Sequence, residues 1–188
     1  MTTVHIALLR GINVGGHKKV AMAELCGLLD GMGFDGARTR LQTGNLVFRS
    51  DKQTGAALEK ALEAEAAKRL DLHTDFLVRT ADEWANVIAR NPFPSEAETD
   101  PSHLVVMFLK DAPAIASIKT LQAAVSGPEV IRAGGRHLYI TYPAGIGRSR
   151  LTNSLVEAKL GTRGTSRNWN TVLKLADLAH GLTQGRAL

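Results

Sequence analysis

Along this chain the apolar positions alternate between strand-like runs and helix-like faces. Val4–Arg10 is a continuous apolar run of strand length, suited to a strand covered on both sides. Gly11–Val20 is glycine-rich and reads as a loop. Met22, Leu25, Cys26, Leu29 and Met32 share one helical face, and Gly33 supplies the left-handed conformation that ends helices. Ala37–Gln42 alternates as a half-buried strand does, and Gly44-Asn45 turns the chain into a strand at Leu46–Arg49. Leu58, Ala61, Leu62, Ala66 and Leu70 predict a helix over residues 54–70, and His73–Arg79 a fourth strand. The order βαββαβ is the split βαβ arrangement of ferredoxin-like folds. Thr80-Ala-Asp-Glu83 is a capping box opening a further helix.

Three prolines and three acids between Asn91 and Pro101 mark a connector, because proline lacks a ladder donor and restricts the residue before it. The pattern then restarts. His103–Leu109 is a strand, Ala114–Val125 a helix, and Glu129–Arg132 and Arg136–Tyr142 are strands joined through Gly134-Gly135. Helices near Thr152–Leu160 and Thr171–Leu182 close the chain. The expected class is α+β: a ferredoxin-like βαββαβ half over 1–91, a connector over 92–101, and a βαββα half with an extra C-terminal helix over 102–188.

Composition changes this picture through charge. Residues 1–100 hold 12 Lys+Arg against 14 Asp+Glu, whereas residues 101–188 hold 11 against 4. Between Arg136 and Lys174 there are seven basic residues and a single acid, Glu157. So few acids cannot neutralise that segment, which makes an anionic partner a reasonable expectation. No apolar run approaches the ~20 residues of a membrane span. With no signal-peptide pattern at the N-terminus either, a cytoplasmic, non-membrane protein is expected. Cys26 is the one cysteine, so no intramolecular disulfide forms; on its apolar helix face it reads as a buried thiol. The six histidines show no zinc-type pairing, and neither metal nor cofactor is expected.

Three segments can carry chemistry. Arg10–Lys19 follows a strand and precedes a helix, as phosphate cradles do. Gly11 and Gly16 have Walker spacing, but His17 stands in the lysine position and no Ser or Thr follows. A generic anion loop, with Arg10, Asn13, Gly15, Gly16, Lys18 and Lys19 as contacts, stands against a plain solvated turn. Tyr142–Arg150 repeats the design. Gly145 and Gly147 permit tight geometry, Ser149 or Thr152 can cap the next helix, and Arg148 and Arg150 oppose its dipole unless an anion compensates. In Thr162–Thr171, Asn168, Asn170 or Thr171 can cap the last helix, and Trp169 suits a core anchor better than a stacking platform. Arg163 and Arg167 would join Arg148 if the chain folds back. No catalytic nucleophile is identified, and Ser149 lies outside a Gly-x-Ser-x-Gly elbow.

Ala7-Leu-Leu-Arg-Gly-Ile-Asn-Val-Gly-Gly16, Gln42-Thr-Gly-Asn-Leu-Val-Phe48, Tyr142-Pro-Ala-Gly-Ile-Gly-Arg-Ser-Arg-Leu-Thr-Asn153 and Thr165-Ser-Arg-Asn-Trp-Asn-Thr171 form a specific combination. With them the sequence resembles the bacterial family catalogued as domain of unknown function 1697. The resemblance implies a cytoplasmic α+β protein of ferredoxin-like character; it implies no substrate, cofactor or catalytic residue. Its motifs coincide with the loops chosen on physical grounds. Gln42 and Asn45 are expected to reach toward the first loop. Gly147, Arg148, Ser149, Thr152, Asn153, Arg163, Arg167 and Asn168 are expected on the opposite wall of one cleft between the halves. A small anionic or phosphorylated ligand is the leading expectation. The alternatives are nucleic acid, which the low aromatic content disfavours, and a non-catalytic structural or interaction role.

Overall fold

The computed structural model describes residues 2–13, 19–39 and 44–185. Two compact units emerge, one formed by Met1–Asn86 with Lys174–Leu188 and the other by Val87–Leu173.

The first unit runs β1 (Thr3–Leu9), α1 (Met22–Gly31), β2 (Asp35–Thr39), β3 (Asn45–Ser50), α2 (Gly55–Leu70) and β4 (Phe76–Thr80). Its antiparallel sheet has the order β2-β3-β1-β4, the ferredoxin-like arrangement. The apolar run in β1 therefore occupies a central position, and Val4–Leu9 are all buried. Leu25, Leu28 and Leu29 of α1 and Leu58, Leu62 and Ala66 of α2 pack with Ala7, Phe48 and Phe76 into one core. Gly44 is required at its turn: φ is +72° and a Cβ there would lie 2.7 Å from Ile12 Cδ1. Cys26 is half-buried, less covered than its place on the apolar face suggested; burial and nearby Asp30 push its thiol pKa up, which disfavours the reactive thiolate. The capping box forms as expected. Thr80 Oγ1 accepts the Glu83 amide at 3.1 Å and Glu83 Oε2 accepts the Thr80 amide at 2.8 Å, opening α3 (Ala81–Ala89).

The second unit contains α4 (Pro94–Thr99), β5 (Leu104–Leu109), α5 (Ile115–Ala124), β6 (Val130–Ala133), β7 (His137–Thr141), α6 (Asn153–Leu160) and β8 (Gly164–Asn168). The chain then enters α7 (Trp169–Thr183). The sheet order β6-β7-β5-β8 repeats that of the first unit. Two features differ from expectation. The connector folds into the short helix α4, with Pro94 in its first turn, where the missing N–H has no intrahelical partner to lose. The second half is a complete βαββαβ unit, because Gly164–Asn168, expected as loop, is an edge strand paired with β5. Trp169 is buried, consistent with a core anchor.

The two sheets also agree in register. Leu9 N–H donates to Gly44 O and Arg10 N–H to Asp75 O, while Leu109 N–H donates to Arg136 O and Lys110 N–H to Arg163 O. β1 and β5 thus hold equivalent places against both neighbours.

Candidate functional site

In the first unit Asn13 serves to shape its own loop. Asn13 takes a left-handed φ of 52°. Its side chain closes the Gly-rich loop by donating to Val20 O at 3.1 Å and accepting the Val20 amide at 3.0 Å. Arg10 is half-buried and continues the ladder through its amide, and Lys19 is exposed. Asn45 is fully buried within β3, opposite Leu8. Gly15, Gly16, Lys18 and Gln42 lie outside the described residues.

The second unit offers the better-defined site. Tyr142 extends the β7 ladder, its amide donating to His103 O at 2.9 Å, and its buried hydroxyl donates to Leu151 O at 3.2 Å across the loop. Burial, with the Glu129 charge adding to it, pushes the Tyr142 phenol pKa up to about 12, so it stays a neutral donor. Gly145, at φ 88°, turns the chain into a single 3-10 turn over Ile146–Arg148. Ser149 then donates a short hydrogen bond to Glu129 Oε1 and accepts the Leu151 amide at 2.9 Å. These bonds pin the loop at both ends and leave its crest, Gly147–Arg148, exposed.

Several predicted contacts are structural. Thr152 is the N-cap of α6, its Oγ1 accepting the Leu155 amide at 3.2 Å. Asn153 Oδ1 accepts from Ser166 Oγ at 2.8 Å, and Asn168 Oδ1 accepts the Thr171 amide at 3.0 Å to start α7. Arg163 and Arg167 do not gather around Arg148. Arg163 sits where β5 ends, against Lys110, whereas the Arg148 loop leaves the sheet where β5 begins, against His103. Six strand residues, about 20 Å, lie between these ends. Arg167 turns its guanidinium onto Thr165 Oγ1 and Ser166 O, at 2.9 and 2.8 Å. Burial lowers its pKa to about 10, which leaves it charged at neutral pH.

Two openings flank the loop. A cavity of about 460 Å³ has walls of Val125, Leu151 and Leu155, with Glu129, Arg148 and Arg150 supplying charge. A shallower one of about 680 Å³ lies on the other side, lined by Ser102, His103 and Pro143–Arg148. Arg148 borders both. Among the described residues, neither the Arg148 nor the Arg150 guanidinium has a hydrogen-bond or ion-pair partner.

Histidine spacing gave no hint of the group facing the second opening. His103 Nδ1 lies 2.7 Å from Asp100 Oδ2, and Ser102 Oγ donates to the other Asp100 oxygen at 2.9 Å. The bonds from His103 and Ser102 hold the Asp100 carboxyl below its usual pKa. The available signal was the acid three residues before the histidine, with a proline between them. Among the described residues no group of three His, Cys, Asp or Glu could hold a metal ion, and no helix is long and apolar enough to cross a membrane.

The family model "Protein of unknown function (DUF1697)" matches residues 1–139, most of the chain. The protein belongs to the DUF1697 family. The matched span covers the Met1–Asn86 part of the first unit and the second unit as far as β7, and ends just before the Arg148 loop. No curated protein matches. Among solved structures, the chain is similar to the conserved bacterial protein SP0830 from Streptococcus pneumoniae, at 21% identity and a TM-score of 0.77. That similarity covers 95% of this chain and 99% of the other. At this identity the likeness carries the fold, and the DUF1697 fold is here two α+β halves with a four-stranded antiparallel sheet in each.

Proposed function

We propose that this DUF1697 protein binds a small anionic ligand, phosphate esters included, at the Pro143–Leu151 loop of its second unit. The supporting observation is the pair Arg148 and Arg150: two guanidinium groups without partners among the described residues, on the rim of a cavity with apolar walls. Apolar walls with a few convergent polar groups are the usual composition of a small-molecule site. Guanidinium recognises carboxylate and phosphate through paired, charge-assisted hydrogen bonds. Glu129 works against an anion in the same cavity, and its hydrogen bond from Ser149 fixes the carboxylate in place. The pair of arginines outweighs that single negative charge.

A thermal-shift screen of phosphate, nucleotides, sugar phosphates and carboxylates tests the reading. A ligand present at 100 times its Kd stabilises by about 2.7 kcal/mol, a readily measured shift. The stabilisation is expected to vanish in Arg148→Ala, whose exposed side chain makes no contact the fold needs. No stabilisation by any anion, or stabilisation unchanged in Arg148→Ala, overturns the proposal.

A further inference from the structure

The second opening beside the loop holds a group that the arginine pair does not explain. His103 immediately precedes β5, and its backbone is fixed on both sides, N–H to Asp100 O at 3.1 Å and O to Tyr142 N–H at 2.9 Å. Its ring is fixed as well, because Asp100 Oδ2 stands 2.7 Å from Nδ1. A carboxylate acceptor keeps the proton on Nδ1 and turns Nε2 outward. Nε2 faces the turn of the loop: a Cβ built on Gly145 would lie 3.9 Å from it. Among the described residues Nε2 has no protein partner, and the opening it faces is the one that Arg148 also borders.

We propose that His103 is the second cationic contact of the Arg148 anion site, and that the site thereby selects doubly charged tetrahedral oxyanions, the phosphate-monoester class, over monocarboxylates. The inference rests on the proposed anion site. Neutral His103 offers an oxyanion only an Nε2 lone pair, which repels it. Protonated His103 offers an N–H donor beside the guanidinium, and the Asp100–His103 wall passes from net −1 to net zero. A tetrahedral dianion has oxygens enough for both donors, whereas a carboxylate is used up by one guanidinium fork. Among the described residues, the charged groups that bear on His103 are Asp100 on its Nδ1 side and Arg148, which borders the same opening; Glu129 lies on the other side of the loop. Binding therefore tightens as pH falls and the ring takes up its second proton.

Sulfate is the probe, since its charge is constant over this range and any pH dependence belongs to the protein. Its affinity for the full chain is measured by calorimetry at pH 5.5 and pH 8, with acetate as the monoanion control. Sulfate is expected to bind roughly fivefold tighter at pH 5.5, and His103→Gln to remove that ratio while leaving the pH 8 affinity in place. By linkage, saturating sulfate favours the protonated His103 ring, which its ring resonances report by NMR. Sulfate binding that Arg148→Ala abolishes but that is equally tight at both pH values, or a pH ratio that survives in His103→Gln, overturns this inference and leaves the anion site standing. Acetate binding as tightly as sulfate at pH 5.5 overturns it as well. Absence of sulfate binding at both pH values overturns this inference, while the anion site itself falls only if no anion of the thermal-shift screen stabilises the protein.

Discussion

Glu59 Oε1, on α2, accepts the backbone amide of Val78 on the edge strand β4 at 2.9 Å. One helical turn later Glu63 Oε1 accepts the amide of Phe76, also at 2.9 Å. Alternate amides of an edge strand face away from the sheet and would otherwise be unpaired beneath the helix. The same Glu59 carboxylate lies 3.8 Å from buried Arg79. Replacing Glu59 with Ala leaves a buried N–H and a buried guanidinium without this acceptor. Glu59→Ala is expected to destabilise by about 3 kcal/mol, and Glu59→Gln by less because an oxygen acceptor remains. Urea unfolding checks this. A loss below 1 kcal/mol in Glu59→Ala would mean that water or neighbouring groups replace the acceptor.

The second unit uses the same device. Glu157 Oε1 on α6 accepts the Gly164 amide at 2.8 Å on edge strand β8, the counterpart of β4. Neither carboxylate could be assigned from sequence, since a glutamate inside a helix looks solvated until the strand beneath it is known. What sequence made legible were elements with strong spacing: β1, β3, α2, the Thr80 box and the Gly134-Gly135 hairpin. β8 escaped because Gly-Thr-Ser-Arg-Asn has no apolar alternation, and its place in the sheet comes from tertiary pairing with β5. At the candidate site, Arg148 and Ser149 were legible as loop residues. The Glu129–Ser149 bond and the Asp100–His103 pair were not, because both depend on where β5, β6 and β7 bring their ends.

Two glycines separate steric need from conformational need. Gly44 and Gly161 both have positive φ, +72° and +69°. A Cβ on Gly44 meets Ile12 Cδ1 at 2.7 Å and Leu9 Cβ at 2.9 Å, whereas one on Gly161, the C-cap of α6, meets nothing within 4 Å. Gly161→Ala is expected to lose about 1 kcal/mol, the left-handed penalty alone. Gly44→Ala adds overpacking and is expected to lose about 3 kcal/mol in total. Equal losses on chemical denaturation would show that the Ile12 contact relaxes freely.

His5 gives the stability a pH dependence. It is fully buried in β1, its ring 5.6 Å from that of Phe48. Burial lowers its pKa below the ordinary imidazole value, against opposing contributions from the Glu83 charge and the Ser50 backbone. The folded state therefore resists a proton that the unfolded chain accepts below about pH 6.5. The sign follows: stability is full above pH 6.5 and declines as pH falls below it, since the unfolded state binds more protons there. Thermal unfolding from pH 7.5 to 5 should show this decline, and His5→Phe should flatten it if the larger ring is accommodated. An unchanged slope in a folded His5→Phe protein would assign the acid sensitivity to other groups.

Glu129 sets the charge of the cavity that Arg148 and Arg150 border. Its carboxylate accepts from Ser149 and raises the Tyr142 pKa, so it acts on both walls of the loop. Glu129→Gln keeps an oxygen for the Ser149 hydroxyl and removes the one acidic side chain that lines that cavity among the described residues. An anion held by Arg148 should then bind roughly threefold to tenfold tighter, as expected for removing a like charge from a partly exposed site. The tightening should shrink with added salt. The Tyr142 phenol, relieved of a neighbouring negative charge, should titrate somewhat lower than about 12, which absorbance at alkaline pH reports. Weaker anion binding in Glu129→Gln, with the phenol shifted as expected, would give the carboxylate another part: holding the loop, or accepting a hydrogen bond from the ligand itself.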